Sequence, residues 1–157
     1  MDLRIMEASD LDGAVRVWRT ANIARGKRPS PERVARVVEK LQEPMAVSYS
    51  AAYDTDVVGM ALLEPYRADD GAGAVIPDAL HISMVFVDPP SQRQGIGTRL
   101  MRYALDGARA TGISSVSLWT GCENTGARRF YEALGMVPTR TRQVSETVAW
   151  VCYEMGL

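Results

Sequence analysis

Val87-Asp88-Pro89-Pro90-Ser91-Gln92-Arg93-Gln94-Gly95-Ile96-Gly97-Thr98-Arg99-Leu100 runs from a β-branched strand end through a proline pair and a glycine loop into a helix. Two glycines one residue apart let the main chain turn sharply and approach a ligand with no Cβ in the way. Successive amide N–H groups can then converge on one anion. The helix that starts there adds its own unbonded N-terminal amides and the positive end of its dipole. The loop reads as a phosphate cradle, the plainer alternative being a simple helix-start turn. Two familiar phosphate loops fail on spacing. Leu100 stands where a dinucleotide-binding fingerprint needs its third glycine, and Thr98 is followed by Arg99 where a nucleotide-hydrolysing loop has lysine and then Ser or Thr after its second glycine.

Working outward, Leu80–Val87 alternates as a strand, and Thr98–Thr111 has helical spacing through Leu100, Met101, Ala104 and Leu105 before a stop at Gly112. Ser115–Thr120 returns as a strand. A β-α-β unit of this kind makes its two strands parallel. Toward the N-terminus, Leu3–Met6 is a first strand, and Ser9 with Asp12 resembles a helix cap before an apolar run through Val15, Trp18 and Ile23. Gly26 stops that helix. Ser30 and Pro31 restart a second one through Val34, Val37, Val38 and Leu41. Met45–Tyr53 and Val57–Glu64, separated by Asp54, Thr55 and Asp56, make a hairpin that Pro65 is expected to end. Arg67–Pro77 has no period and reads as a mobile loop. Beyond the parallel pair, Gly126–Leu134 is a short helix closed by Gly135, and Met136–Met155 holds two strands with a turn near Ser145. Thr147–Met155 is apolar on both alternating faces and needs cover on both, from a helix layer or from a second copy in a homodimer.

With 157 residues, 18 basic and 19 acidic side chains and a formal charge of −1, the chain is expected to be one domain, residues 1–157, with no basic field for nucleic acid. Cys122, Cys152 and His81 suggest neither a disulfide framework nor a zinc site, so no metal is expected. No apolar run approaches a membrane span, and a cytoplasmic protein without a membrane partner is expected.

A second segment, Glu123-Asn124-Thr125-Gly126-Ala127-Arg128-Arg129-Phe130-Tyr131-Glu132-Ala133-Leu134-Gly135-Met136, completes the pattern. Together with Gln92, Gly95 and Gly97 it resembles the GNAT superfamily of acetyl-CoA-dependent N-acetyltransferases: a QxxGxG loop, then Asn, Ala, Phe-Tyr-Glu and Leu-Gly downstream. The resemblance covers the order of elements over nearly the whole chain, while the first half carries little sequence likeness of its own. It implies an α/β (α+β) fold, the acyl-CoA N-acyltransferase fold, with a mixed, mostly antiparallel sheet, one parallel β-α-β pair and flanking helices. It also implies that Gln92 opens the pyrophosphate motif and that the amides of Arg93, Gln94, Gly95, Ile96, Gly97 and Thr98 hold the pyrophosphate of acetyl-CoA. Main-chain groups of Phe86 and Val87 are expected to pair with the pantetheine arm as an added strand would. Asn124 is expected on the pantetheine side, and Tyr131 near the thioester sulfur.

Acyl transfer to an amine needs a neutral nucleophile, a stabilised oxyanion and a protonated leaving thiol. A phenol of pKa roughly 10 stays protonated at neutral pH and can donate to a departing thiolate, which suits Tyr131 as general acid. An amide N–H near Phe86 or Val87 would serve the oxyanion. The general base stays open among Glu64, His81, Glu123 and a water relay; His81 shares a strand face with Ser83, Val85 and Val87. Cys122 is expected to be inert packing. The acceptor is expected to be a small-molecule amine. The basic turn of Arg25, Lys27 and Arg28 favours an acidic acceptor or CoA's own phosphates, while the acidic Asp69 and Asp70 favour a polyamine or aminoglycoside, and the two point in opposite directions. The competing functions are a non-catalytic acyl-CoA-binding or sensing domain, and acetylation of a protein or aminoacyl-tRNA amine.

Overall fold

The computed structural model describes all of residues 1–157. In chain order the elements are β1 (Asp2–Ile5), α1 (Leu11–Ala24), α2 (Pro31–Leu41), β2 (Val47–Tyr53), β3 (Asp56–Arg67) and β4 (Val75–Val87), followed by α3 (Ile96–Ala110), β5 (Ser115–Gly121), α4 (Thr125–Ala133), β6 (Val137–Gln143) and β7 (Ala149–Gly156). The seven strands form one mixed sheet in the order β1-β2-β3-β4-β5-β7-β6. β4 and β5, joined through α3, pair in parallel with Ala79, Leu80 and His81 opposite Ser115, Val116 and Ser117. β1 with β2, β2 with β3, β5 with β7 and β6 with β7 are antiparallel. This is the mixed α/β sheet that the sequence pattern implies.

The chain divides into two compact units, residues 1–64 with 84–104, and residues 65–83 with 105–157. In the first, Ala14, Val17, Trp18 and Ala21 of α1 are buried, a stripe at the helical repeat; Ile23 falls off that stripe and is 53% exposed, against expectation. The stripe meets Val37 and Leu41 of α2 and Ala52, Val57, Met60 and Leu62 of the hairpin. Gly13 is required there: a Cβ would lie 2.8 Å from Val57 Cβ. The cap of α1 also differs from the expected Ser9 and Asp12. A 3-10 turn, Ala8–Asp10, precedes the helix, and the Asp10 carboxylate accepts from the Glu7 N–H at 3.2 Å. Asp10 is 2% exposed, and its remaining lone pairs accept from Arg4 at 2.7 and 3.1 Å and from Ser50 Oγ at 2.8 Å. The Arg4 guanidinium holds that carboxyl below its ordinary pKa, helped by the Glu7 amide and the Ser50 hydroxyl. Ser30 caps α2 as expected, its Oγ accepting from the Arg33 N–H.

In the second unit, Val116, Leu118, Val151 and Tyr153 are buried together with Leu105, Ala108 and Met136. Three expectations about strand limits and cover need correction. Pro65 does not end β3, which runs on to Arg67: the ladder with β2 closes at Leu63 opposite Val47, so no β2 group needs the proline's missing N–H. The loop before β4 is only residues 68–74, closed by the N–H groups of Ala68, Gly71 and Gly73 donating to Ala74, Ala68 and Ala68. β4 starts at Val75, ahead of Pro77, and the ladder with β5 begins at Ala79, so no β5 group needs the N–H of Pro77. In β7 both faces are covered only over Val151, Cys152 and Tyr153; Val148 and Trp150 are 43% and 39% exposed.

Candidate active site

The site residues expected from sequence fall in two sets, one in each unit. In the first unit, the loop is pinned at its entry by Asp88. Its N–H donates to Val58 O at 2.9 Å, and its carboxylate accepts from Thr20 Oγ1 at 2.8 Å and Arg16 Nη1 at 3.1 Å. Arg16 also donates from Nη2 to Asp56 and to Val57 O, both at 2.7 Å, so α1, the hairpin and the loop entry share one guanidinium. A 3-10 turn, Pro89–Ser91, follows, with the Ser91 N–H donating to Asp88 O at 2.8 Å. Gln92 Nε2 donates to Val87 O at 3.0 Å and staples the loop to the strand end. Arg93 has φ +63° and Gly95 φ +76°. Left-handed residues flanking one of ordinary hand turn successive N–H groups toward one side, the geometry of an anion nest.

A Cβ on Gly95 would meet nothing within 4 Å, so glycine stands there for its conformation and its open face, not for packing. The first helical bond of α3 runs from the Arg99 N–H to Gly95 O at 3.0 Å. The amides of Ile96, Gly97 and Thr98 therefore precede the helical ladder and leave its positive end available to an anion. Ile96 and Leu100 are 2% and 0% exposed and seat this end of α3 on β3 at Gly59, where an added Cβ would come within 3.3 Å of Ile96 Cγ2. Phe86 and Val87, half-buried, stand at the end of β4, five and six residues along from the last β5-paired position, His81. Glu64 is also in this unit; Lys40 Nζ donates to its Oε2 at 3.0 Å.

In the second unit, Asn124 is the N-cap of α4. Its Oδ1 accepts from the Ala127 N–H at 3.1 Å, which leaves the side-chain NH2 as the group able to donate to a ligand. Tyr131 is half-buried, its ring 5.1 Å from that of Phe130 at 64° and 6.2 Å from that of Tyr153 at 42°. Tyr153 is fully buried; its hydroxyl donates to Glu132 Oε1 at 2.7 Å and accepts from Arg128 Nε at 3.1 Å. Arg128 Nη1 donates in turn to Cys122 O at 3.1 Å. Burial pushes the Tyr153 phenol up, with Arg128 opposing and Glu132 adding to the rise. This network locks α4 to β7. Sequence reasoning missed it, although Arg128 and Glu132 stand four apart on one helix face.

His81 is half-buried on β4 and opposite Ser117 of β5, which is itself opposite Glu154 of β7. A cleft of about 700 Å³ is lined on this unit by Tyr66, Leu80, Ser117, Thr139 and Glu154 among others. Glu123 is exposed, and Cys122 and Cys152 are both unbridged. Asp70 is not an open acidic lure. Its carboxylate faces Arg142 at 3.5 Å and Arg140 at 3.9 Å. Among the first unit's basic turn residues, Lys27 is pushed down by burial and by the neighbouring charges of Arg25 and Arg33. No group of three or more His, Cys, Asp or Glu side chains is arranged to hold a metal ion, and no helix is long and apolar enough to cross a membrane.

Comparison with known proteins follows the same lines. An uncharacterized N-acetyltransferase of Methanocaldococcus jannaschii is 43% identical over 58 residues, 37% of this chain and 26% of that protein. A mycothiol acetyltransferase of Beutenbergia cavernae is 40% identical over 79 residues, 45% of this chain and 27% of that protein. The chain thus spans about a quarter of the length of these curated relatives. Among solved structures, the ribosomal-protein-S18-alanine N-acetyltransferase of Escherichia coli superimposes with a TM-score of 0.77 at 19% identity, covering 99% of this chain and 92% of that one. An aminoglycoside 6'-N-acetyltransferase complexed with coenzyme A gives a TM-score of 0.80 at 15% identity over 99% and 97% of the two chains. At these identities the structural likeness speaks for the fold. The family model of the acetyltransferase (GNAT) family matches residues 15–136, which include both the glycine loop and the Asn124–Met136 segment, and the chain belongs to that family.

Proposed function

We propose that this chain transfers an acetyl group from acetyl-CoA to a primary amine of a small molecule by direct attack. The observation that carries this is the pair of left-handed residues Arg93 and Gly95 ahead of α3, in a chain of the acetyltransferase family. Amides from Arg93 to Thr98 would hold the CoA pyrophosphate, and the open face of Gly95 fits a ligand brought against backbone. The family pattern supports main-chain groups of Phe86 and Val87, and the Asn124 side-chain amide, as the grip on the pantetheine arm. Val87 O already accepts from Gln92 and offers that arm one remaining lone pair.

The amine lone pair attacks the thioester carbonyl carbon, forming the C–N bond, while an amide N–H near Phe86 or Val87 meets the developing oxyanion. As the C–S bond breaks, the thiolate takes the Tyr131 proton. The proton lost by the amine goes to a base. His81 and Glu64, whose carboxylate accepts from Lys40, are the candidates. Likeness to a mycothiol acetyltransferase supports a small-molecule acceptor, and the pairing of Asp70 with Arg140 and Arg142 removes the argument for a polycation. The match over residues 15–136 runs through both units and supports one acetyltransferase domain; the two unbridged cysteines support a reducing compartment such as the cytoplasm.

Incubation with acetyl-CoA and a broad amine panel, read as release of free CoA thiol, is expected to find at least one acetylated amine. An intact thioester in every mixture would instead establish the acyl-CoA-sensing alternative. A separate test concerns the loop. In Gly95→Val a β-branched residue is forced to φ +76° at a cost of roughly 1–2 kcal/mol, which weakens CoA binding about tenfold or more in calorimetry. Unchanged affinity would remove the loop from the cofactor site.

A further inference from the structure

Arg140 and Arg142 lie two apart on the edge strand β6, on one face, with Cys152 and Trp150 of β7 as their register partners and Trp119 and Gly121 of β5 beyond. Both guanidiniums stack on the same indole, their central carbons 5.4 and 5.3 Å from the Trp119 ring centroid. Arg140 Nη2 also donates to the Tyr66 hydroxyl at 3.4 Å. The one carboxylate that approaches both, Asp70, stands at 3.9 and 3.5 Å. Charge-assisted bonds of this type close to about 2.7–2.9 Å, so the double fork is aimed at a carboxylate that does not seat in it. Asp70 is brought there by a costly backbone: Asp69 and Asp70 follow one another at φ +53° and +51°. Non-glycine residues of that hand are strained, and here two follow in succession. Arg140, Arg142 and Asp70 side chains are all about half exposed, so a solute can reach them.

The surroundings are shaped for a polar ligand. One step along the strands lies the row His81, Ser117 and Glu154. Ser117 is 6% exposed, and its Oγ has no hydrogen-bond partner, a deficit a native protein seldom leaves without a use. Ser117, Glu154, Thr139 and Tyr66 line the 700 Å³ cleft, and Tyr66, bonded to Arg140, joins the cleft to the arginine pair. Gly121, beside Trp150, leaves open space where a side chain would stand. An edge strand gains protection from any charged residue, and that alone calls for neither the shared indole nor the strained Asp70.

We propose that Arg140 and Arg142, held over Trp119, bind the carboxylate of the acceptor in place of Asp70, and that the acceptors are small amines carrying a carboxylate, as amino acids do. Glu154 and His81, one row away, face the amino end of such a molecule. The assignment rests on the acetyltransferase reading for its acceptor half and on the arginine site alone for its binding half.

Two measurements separate them. In 1H–15N spectra at constant ionic strength, succinate is expected to shift the Trp119 indole N–H saturably, with chloride and 1,4-diaminobutane as controls. The shift is lost in R140Q/R142Q, whose remaining dispersion reports its folding, and appears at about tenfold lower succinate in D70N, where the internal competitor is gone. No shift beyond the chloride control in the wild type overturns the site. In turnover with acetyl-CoA, lysine is expected to exceed 1,5-diaminopentane, and ornithine 1,4-diaminobutane, by about tenfold or more in kcat/KM, the ratio falling to about 1 in R140Q/R142Q. Equal use of each pair overturns the acceptor assignment and leaves the acetyltransferase standing. A saturable succinate shift with no acetylation of any amine overturns the acetyltransferase reading and keeps the anion site.

Discussion

Replacing Tyr131 with Phe is expected to lower kcat for acetyl transfer by about 10²–10⁴-fold, the usual range for removal of a positioned proton donor. The substitution keeps the ring that packs against Phe130 and Tyr153, so the loss of turnover should far exceed any change in melting temperature or CoA affinity. That separation matters because a purely structural tyrosine would show the reverse, lost stability with turnover largely intact. Tyr153 is no substitute donor. Its hydroxyl is buried and already committed to Glu132 and Arg128. Steady-state kinetics of Y131F across the pH range are the check, with an acceptor of low basicity to make thiol departure easier to isolate. Undiminished turnover at every pH would take Tyr131 out of the chemistry.

The largest stability effect is expected at Asp10. Removing the carboxylate in Asp10→Ala leaves Arg4, the Ser50 hydroxyl and the Glu7 amide facing a void in a site only 2% exposed. Arg4 can turn to water, but the buried Ser50 hydroxyl and the Glu7 amide lose their acceptor, at a cost of about 1–3 kcal/mol. For a chain of this size that is a fall in Tm of roughly 5 °C. The pH dependence has a definite sign. Arg4 holds the Asp10 carboxyl below its ordinary value, so near that value the unfolded chain binds more protons than the folded one. The stabilisation is full above about pH 4 and drains away as pH falls through the lower folded value. Denaturant midpoints of wild type and D10N should therefore differ most at neutral pH and converge in acid. Parallel curves down to pH 2 would show that Asp10 acts through packing alone.

Local signals carried the fold. Helix stops at Gly26, Gly112 and Gly135 and the Ser30 cap depend on residues within a turn or two of one another, and each is found where the sequence places it; the hairpin is found too, with Asp56 already in β3 and its turn two residues, not three. Pro65 and Pro77 misled for a non-local reason. A proline ends a strand only where a neighbour needs its N–H, and the ladder of β2 with β3 ends at Leu63 while that of β5 with β4 begins at Ala79. The true α1 cap, Asp10, looked like any surface aspartate until Arg4 and Ser50, the latter forty residues away, enclosed it. In the candidate site, the glycine loop and the Asn124–Tyr131 segment were legible because close spacing fixes their geometry. Trp119, Arg140, Arg142 and Asp70 were not, since their meeting depends on strand order and on the bulge between Pro138 and Arg140.

Asp88 ties the loop entry to Thr20 and Arg16 of α1, and Gln92 ties the same loop to Val87. Its conformational entropy is therefore spent at folding and not at encounter with the ligand. An anion arriving at the loop meets a receptor already set, so association should be quick and single-phase, with no slow ordering step. Differences in cofactor affinity among loop variants would then appear as residence time, and a dissociation-rate measurement would rank them more sharply than an equilibrium one.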